Sequence, residues 1–120
     1  MGAHRDPIPE DRDLTSAERV LVTWLLEHGI REAQPFLAQV PGLRVVSRCQ
    51  CGCASINFGP AHAAPMQVLS EYMYEQPSGG LTGVFVFAQS GRLAGLDVWS
   101  IDGRGSNNSL PDPSTLRPLE

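Results

Sequence analysis

Two apolar runs separated by two residues constrain this chain more than any other feature. Gly83-Val84-Phe85-Val86-Phe87-Ala88-Gln89 is apolar at odd and even positions alike. The return run, Arg92 to Ile101, is apolar on both parities through Leu93, Leu96, Val98, Trp99 and Ile101. Successive side chains of a strand point to opposite faces. Strands of this kind need cover on both faces. Ser90-Gly91 between them is a two-residue hairpin signal, and Asp102-Gly103 turns the chain out again. The spacing predicts a central antiparallel pair over residues 83–89 and 92–101.

Cover for one face comes from the N-terminal third. Thr15-Ser16-Ala17-Glu18 matches a capping box, in which the Thr15 hydroxyl accepts from the Glu18 amide and Glu18 reaches back. Ala17, Val20, Leu21, Trp24, Leu25 and His28 then recur at helical spacing, which predicts a helix over 15–28. Gly29 suits the C′ position, with Ile30 placed to touch Leu25 in a Schellman close. His28 suits the negative end of the helix dipole. A shorter helix follows, with Ala33, Phe36, Leu37 and Val40 on one face; Pro35 is tolerable in a first turn and Pro41-Gly42 stops it. Residues 1–13, polar and carrying Pro7 and Pro9, read as a loose arm.

The second face of the central pair must be covered by the C-terminal tail, by the arm or by a second copy of the chain. Phe85, Phe87, Trp99 and Ile101 are its candidate contact residues. Burying a side chain of this class contributes about 1.5–3 kcal/mol, so several left in water would be costly. A homodimer or a protein-binding face is one expectation, and simple cover by the tail is the other.

All three cysteines lie within five residues, in Arg48-Cys49-Gln50-Cys51-Gly52-Cys53-Ala54-Ser55-Ile56. Before Gly52 the less polar positions are odd-numbered; after it they are Ala54, Ile56 and Phe58. A strand changes its buried face only with an extra residue, and Gly52 suits a bulge or bend. Two short strands with an irregularity between Cys51 and Cys53 are therefore expected. Cys49, Cys51 and Cys53, with His62 as a fourth donor, could hold a zinc ion. The C-x-C-x-C spacing lacks the usual C-x-x-C pairs. Half-buried packing as small apolar groups, or a reactive thiol, are the alternatives. His62 itself falls in a proline-bounded connector, residues 59–65. Met66 to Glu75 alternates as a strand does and is read as one, although Val68, Leu69 and Tyr72 would also suit a helix; residues 76–80 form a turn. Residues 103–120 read as an irregular tail able to lie on the domain through Leu110, Leu116 and Leu119.

The expected fold is α+β: two N-terminal helices packed on one face of a mostly antiparallel sheet of four to five strands. It would occupy residues 14–116 as a single domain, with an arm at 1–13 and a tail end at 117–120.

Charge and composition narrow the function. The formal net charge is −4 and no basic stripe interleaves with aromatics, which argues against nucleic acid. No long apolar run or secretory h-region is present, so neither a membrane nor export is expected, and the clustered cysteines fit a reducing cytoplasm. Seven of the thirteen acids stand in the first 32 residues among four arginines, a solvated surface pattern. No P-loop, G-x-S-x-G, H-E-x-x-H or dinucleotide glycine pattern occurs. Asp97 interrupts an apolar strand, so it either faces solvent or pairs with Arg44, Arg48 or Arg92.

Leu14-Thr15…Glu18-Arg19…Trp24-Leu25…His28-Gly29, then Arg48-Cys49-x-Cys51-Gly52-Cys53-x-Ser55-Ile56, then Gly91-Arg92-Leu93…Leu96-Asp97-Val98-Trp99-Ser100-x-Asp102-Gly103 and the closing Leu110-Pro111 resemble a family of small uncharacterised bacterial proteins. The similarity covers residues 14–116. It implies a helix-plus-sheet domain and brings no catalytic residues. The function expected from the residues is a non-catalytic binding module that presents a sheet face to a partner or a second copy. A zinc-stabilised module and a thiol-dependent enzyme are the alternatives.

Overall fold

The computed structural model describes residues 8–49, 53–60, 64–77, 79–103 and 109–118. Strand β1 spans Ile8–Asp13, helix α1 Ser16–Glu27, β2 Arg44–Arg48, β3 Ile56–Asn57, β4 Gln67–Glu75, β5 Leu81–Gln89, β6 Arg92–Ser100 and β7 Arg117–Pro118. Two 3₁₀ segments, Arg31–Gly42 and Pro113–Thr115, complete the described elements. The strands form one sheet in the order β1-β2-β3-β6-β5-β4-β7, with every neighbouring pair antiparallel.

The expectation of two helices on four to five strands is corrected on two counts. Among the described residues there are seven strands, not four or five. The additional ones come from the ends: Ile8–Asp13, within the expected arm, pairs with β2, and Arg117–Pro118 pairs with β4. The segment Arg31–Gly42 runs as successive 3₁₀ turns. Pro35 and Pro41 remove two backbone donors there, and short 3₁₀ turns tolerate such interruptions better than a continuous α-helical ladder does. Strands β2 and β3 run antiparallel, with Arg48 opposite Ile56; the irregularity expected between Cys51 and Cys53 falls on residues outside those described.

Several local readings agree with the structure. Thr15 caps α1: its hydroxyl accepts from Glu18 N at 3.1 Å, and its own N–H donates to the Glu18 carboxylate at 2.8 Å. Residues 67–75 are a strand, and the hairpin turns at Ser90 and Gly91 with φ of 52° and 79°. The end of α1 differs. Gly29 is not left-handed, and Ile30 donates its N–H to Leu69 O at 2.9 Å instead of closing on Leu25. Leu69 is the extra residue of a bulge in β4, between the Val68–Phe87 and Ser70–Val86 pairs. That bulge frees its carbonyl from the ladder to receive the end of the helix.

Residues directly opposite each other on paired strands share a face. One face of the central strands carries Tyr74, Thr82, Tyr72, Val84, Val98, Val86, Leu96 and Ile56. On it, Leu21, Val22, Leu25 and Leu26 of α1 join Val84, Val86, Leu96 and Val98 in one buried cluster. Leu110 and Leu116 of the tail pack against the same cluster. Among the described residues, no helix is long and apolar enough to cross a membrane.

Candidate functional site

The register also defines the opposite face of β4, β5 and β6. Met73, Gly83 and Trp99 form one cross-strand row, and Glu71, Phe85 and Asp97 the next. Val68, Phe87 and Gly95 form the third. Two glycines shape this surface. A Cβ at position 83 would stand 2.5 Å from Trp99 Nε1, and one at 95 would stand 2.7 Å from the Phe87 ring. The missing side chains let both rings lie against the backbone of the neighbouring strand. Phe85 and Phe87 follow with ring centroids 5.8 Å apart. Phe87 is buried yet stands outside the main cluster, whereas Phe85 is half-buried. Trp99 and Val68 remain 37% and 40% exposed, which makes this the apolar face that the helices leave open.

Asp97 sits in the middle of this surface. Phe85 is opposite it on β5, and Gly95, beneath the Phe87 ring, and Trp99 are its same-face neighbours along β6. Burial pushes its carboxyl above the ordinary range, and a hydrogen bond from Ser55 partly offsets this. Ser55 is itself buried; its hydroxyl accepts Val98 N–H at 2.8 Å and reaches Val98 O at 3.3 Å. Of the expected arginine partners, Arg44 is engaged by Asp11 and Asp13 and Arg48 by Glu10, while Arg92 stands at the β5–β6 turn, opposite Gln89. Among the described residues no cation pairs with Asp97.

An Asp97→Asn substitution is expected to raise thermal stability at neutral pH. The folded carboxyl titrates above its unfolded value of 3.8. The wild-type contribution is therefore full below 3.8 and is lost as pH rises through the folded value. Melting curves should show the variant's advantage shrinking toward about pH 3; an advantage independent of pH would contradict the desolvation argument.

Of the expected interaction residues, Phe85, Phe87 and Trp99 share the open face. Ile101 lies half-buried just past β6, its N–H donating to Leu81 O at 2.9 Å. Cys49 and Cys53 are half-buried, and Cys49 N–H meets Ser55 O at 3.3 Å. Cys51 and His62 lie outside the described residues. Among the described residues, no three of His, Cys, Asp and Glu stand together as metal ligands. His28 is a helix-end residue: its ring stacks on Trp24 at 4.0 Å, and its carbonyl accepts from Tyr72 Oη at 2.8 Å. Sequence reasoning passed over Ser55 and the two glycine seats. Glycines inside apolar strands were the available signal for the seats.

Hollows among the described residues also lie elsewhere. A cleft of about 940 Å³ surrounds the β5–β6 turn, between Gln39, Arg44, Phe58 and Arg92. Gln39 is taken up by the turn, donating to Gly91 O at 3.1 Å and accepting Leu93 N–H at 2.9 Å. A hollow of about 340 Å³ lies beside His28, Tyr72 and Ser70. The Ser70 hydroxyl is buried there without a hydrogen-bond partner. No family model, curated protein or solved structure matches the chain.

Proposed function

We propose that this chain is a non-catalytic interaction domain of the cytoplasm that engages a protein partner through the open face of β4, β5 and β6. One observation carries the reading. Among the described residues, α1 and the tail pack on the same side of the sheet, while Phe85 and Trp99 stay partly exposed on the other. A surface of grouped aromatic side chains on a folded domain marks a binding site more often than a solvated face. The clustered cysteines are compatible with a reducing compartment.

Site-specific photocrosslinking in the native host tests it. A benzophenone side chain at position 99 should yield a discrete cross-linked product. The same group at position 20, where Val20 is 56% exposed on α1, should not. A Phe85→Ser change should remove the product formed from position 99. Equal products from both positions, or none from position 99, would overturn the proposal.

A further inference from the structure

We infer that Asp97, with Phe85 and Trp99 beside it, is the seat for an arginine side chain of the partner. The inference rests on the open face being an interaction surface and adds the chemistry of its occupant. Asp97 is the only charged residue of β6 between Leu93 and Ser100. It stands among Phe85, the Phe87 ring over Gly95, and Trp99, and no described cation meets it. A carboxylate in such surroundings favours a cation that brings its own hydrogen-bond donors and tolerates partial desolvation. Guanidinium meets both conditions: its planar fork matches a carboxylate, and its flat face stacks on aromatic rings. An ammonium is more strongly hydrated and matches less well.

The charges around Asp97 point the same way. Glu71 stands in the same row, with Phe85 between the two acids. Arg117 pairs with Met73 on β7, three strands away from β6, or about 14 Å at the usual strand spacing. The centre of the face is therefore acidic, and the cations Arg117 and Arg92, the latter opposite Gln89 at the hairpin end, lie at its margins. A second copy docked face to face would bring acid toward acid, whereas a partner carrying arginine among apolar residues complements both the charge and the rings.

Titration of the full chain, labelled with ¹⁵N, by acetyl-leucyl-arginyl-leucinamide tests the inference. Its citrulline analogue, nearly identical in shape but neutral, is the control. The arginine peptide should shift the amides of Gly83, Phe85 and Asp97 and the Trp99 indole N–H. The citrulline peptide should bind at least about tenfold more weakly, in keeping with loss of a charge-assisted contact. Asp97→Asn, which keeps the side-chain shape, should bring the arginine peptide down to the citrulline level. Equal binding of the two peptides, shifts elsewhere on the domain, or unchanged binding by Asp97→Asn would overturn the inference. So would a concentration-dependent dimer in sedimentation whose interface is this face. Cross-linking from position 99 that survives Asp97→Asn overturns the arginine seat alone, while its absence in the wild type overturns the interaction surface as well.

Discussion

Replacing Gly29 with Ala is expected to lower the stability of the fold by about 3 kcal/mol, at the upper end of what overpacking usually costs. A Cβ there would run into the Leu69 carbonyl oxygen, with Ser70 Cβ at 2.9 Å and Ala33 Cβ at 3.1 Å. The first obstacle is backbone, so no side-chain rotation relieves it. The clash falls on the seam where Ile30 N–H meets the carbonyl exposed by the β4 bulge. Relief would require α1 to lift from the sheet, and α1 supplies much of the buried cluster. Gly42→Ala is the matched control, because nothing lies within 4 Å of a Cβ at that position. Urea unfolding should show a large loss for position 29 and a near-neutral effect, under about 1 kcal/mol, for position 42. Similar results for the two variants would mean that the close approach carries no energetic weight.

Glu18→Ala is expected to lower stability by about 2 kcal/mol at neutral pH, combining a lost cap with lost charge-assisted hydrogen bonds. Glu18 is buried although charged. It accepts from Thr15 N–H and holds Arg12 by two bonds of 2.9 and 3.0 Å. Arg12 also binds Glu10 at 2.8 Å, and Glu10 receives Arg48 at 2.9 Å. This chain of charges ties β1 to the start of α1 and to β2. Burial by itself would raise the Glu18 carboxyl; the Arg12 and Thr15 hydrogen bonds outweigh it and hold the group below 4.5. Hydrogen bonds from Arg12 and then Arg48 lower Glu10 as well. The stabilisation is therefore present above an unfolded value near 4.5 and is lost as pH falls through the lowered folded values. The difference between wild type and Glu18→Ala should narrow below about pH 4. A difference that stays constant on acidification would assign Glu18 to packing alone.

The acids and arginines of the first 32 residues read as a solvated pattern, yet Glu10, Arg12, Glu18 and Arg48 form a connected network. Their pairing joins residues up to 38 positions apart, and composition carries no information at that range. The open face was legible in outline. The double apolarity of β5 and β6 called for cover on both sides and singled out Phe85, Phe87 and Trp99. Asp97 was legible as an interruption but not in its surroundings. Arg44, Arg48 and Arg92 were all plausible partners until the strand order was known. That order places Ser55 near its carboxylate and sends Arg44 and Arg48 to β1.

By itself the sequence determined what neighbouring residues settle among themselves. The capping box of α1, the helix up to His28 and the Ser90-Gly91 turn all depend on contacts a few positions apart, whereas residues 66–75 suited a helix as well as a strand until β5 paired with them. Only the tertiary structure decided the rest. It recruited Ile8–Asp13 and Arg117–Pro118 as strands, because a short segment becomes a strand only where another offers an unpaired edge. It set β2 and β3 antiparallel, with Arg48 opposite Ile56. It gave Gly29 its role, since the Leu69 carbonyl that excludes a side chain there comes from forty residues away. And among the described residues it left the face of β4, β5 and β6 opposite α1 without helix or tail cover, because Leu110 and Leu116 found their apolar contacts in the α1 cluster.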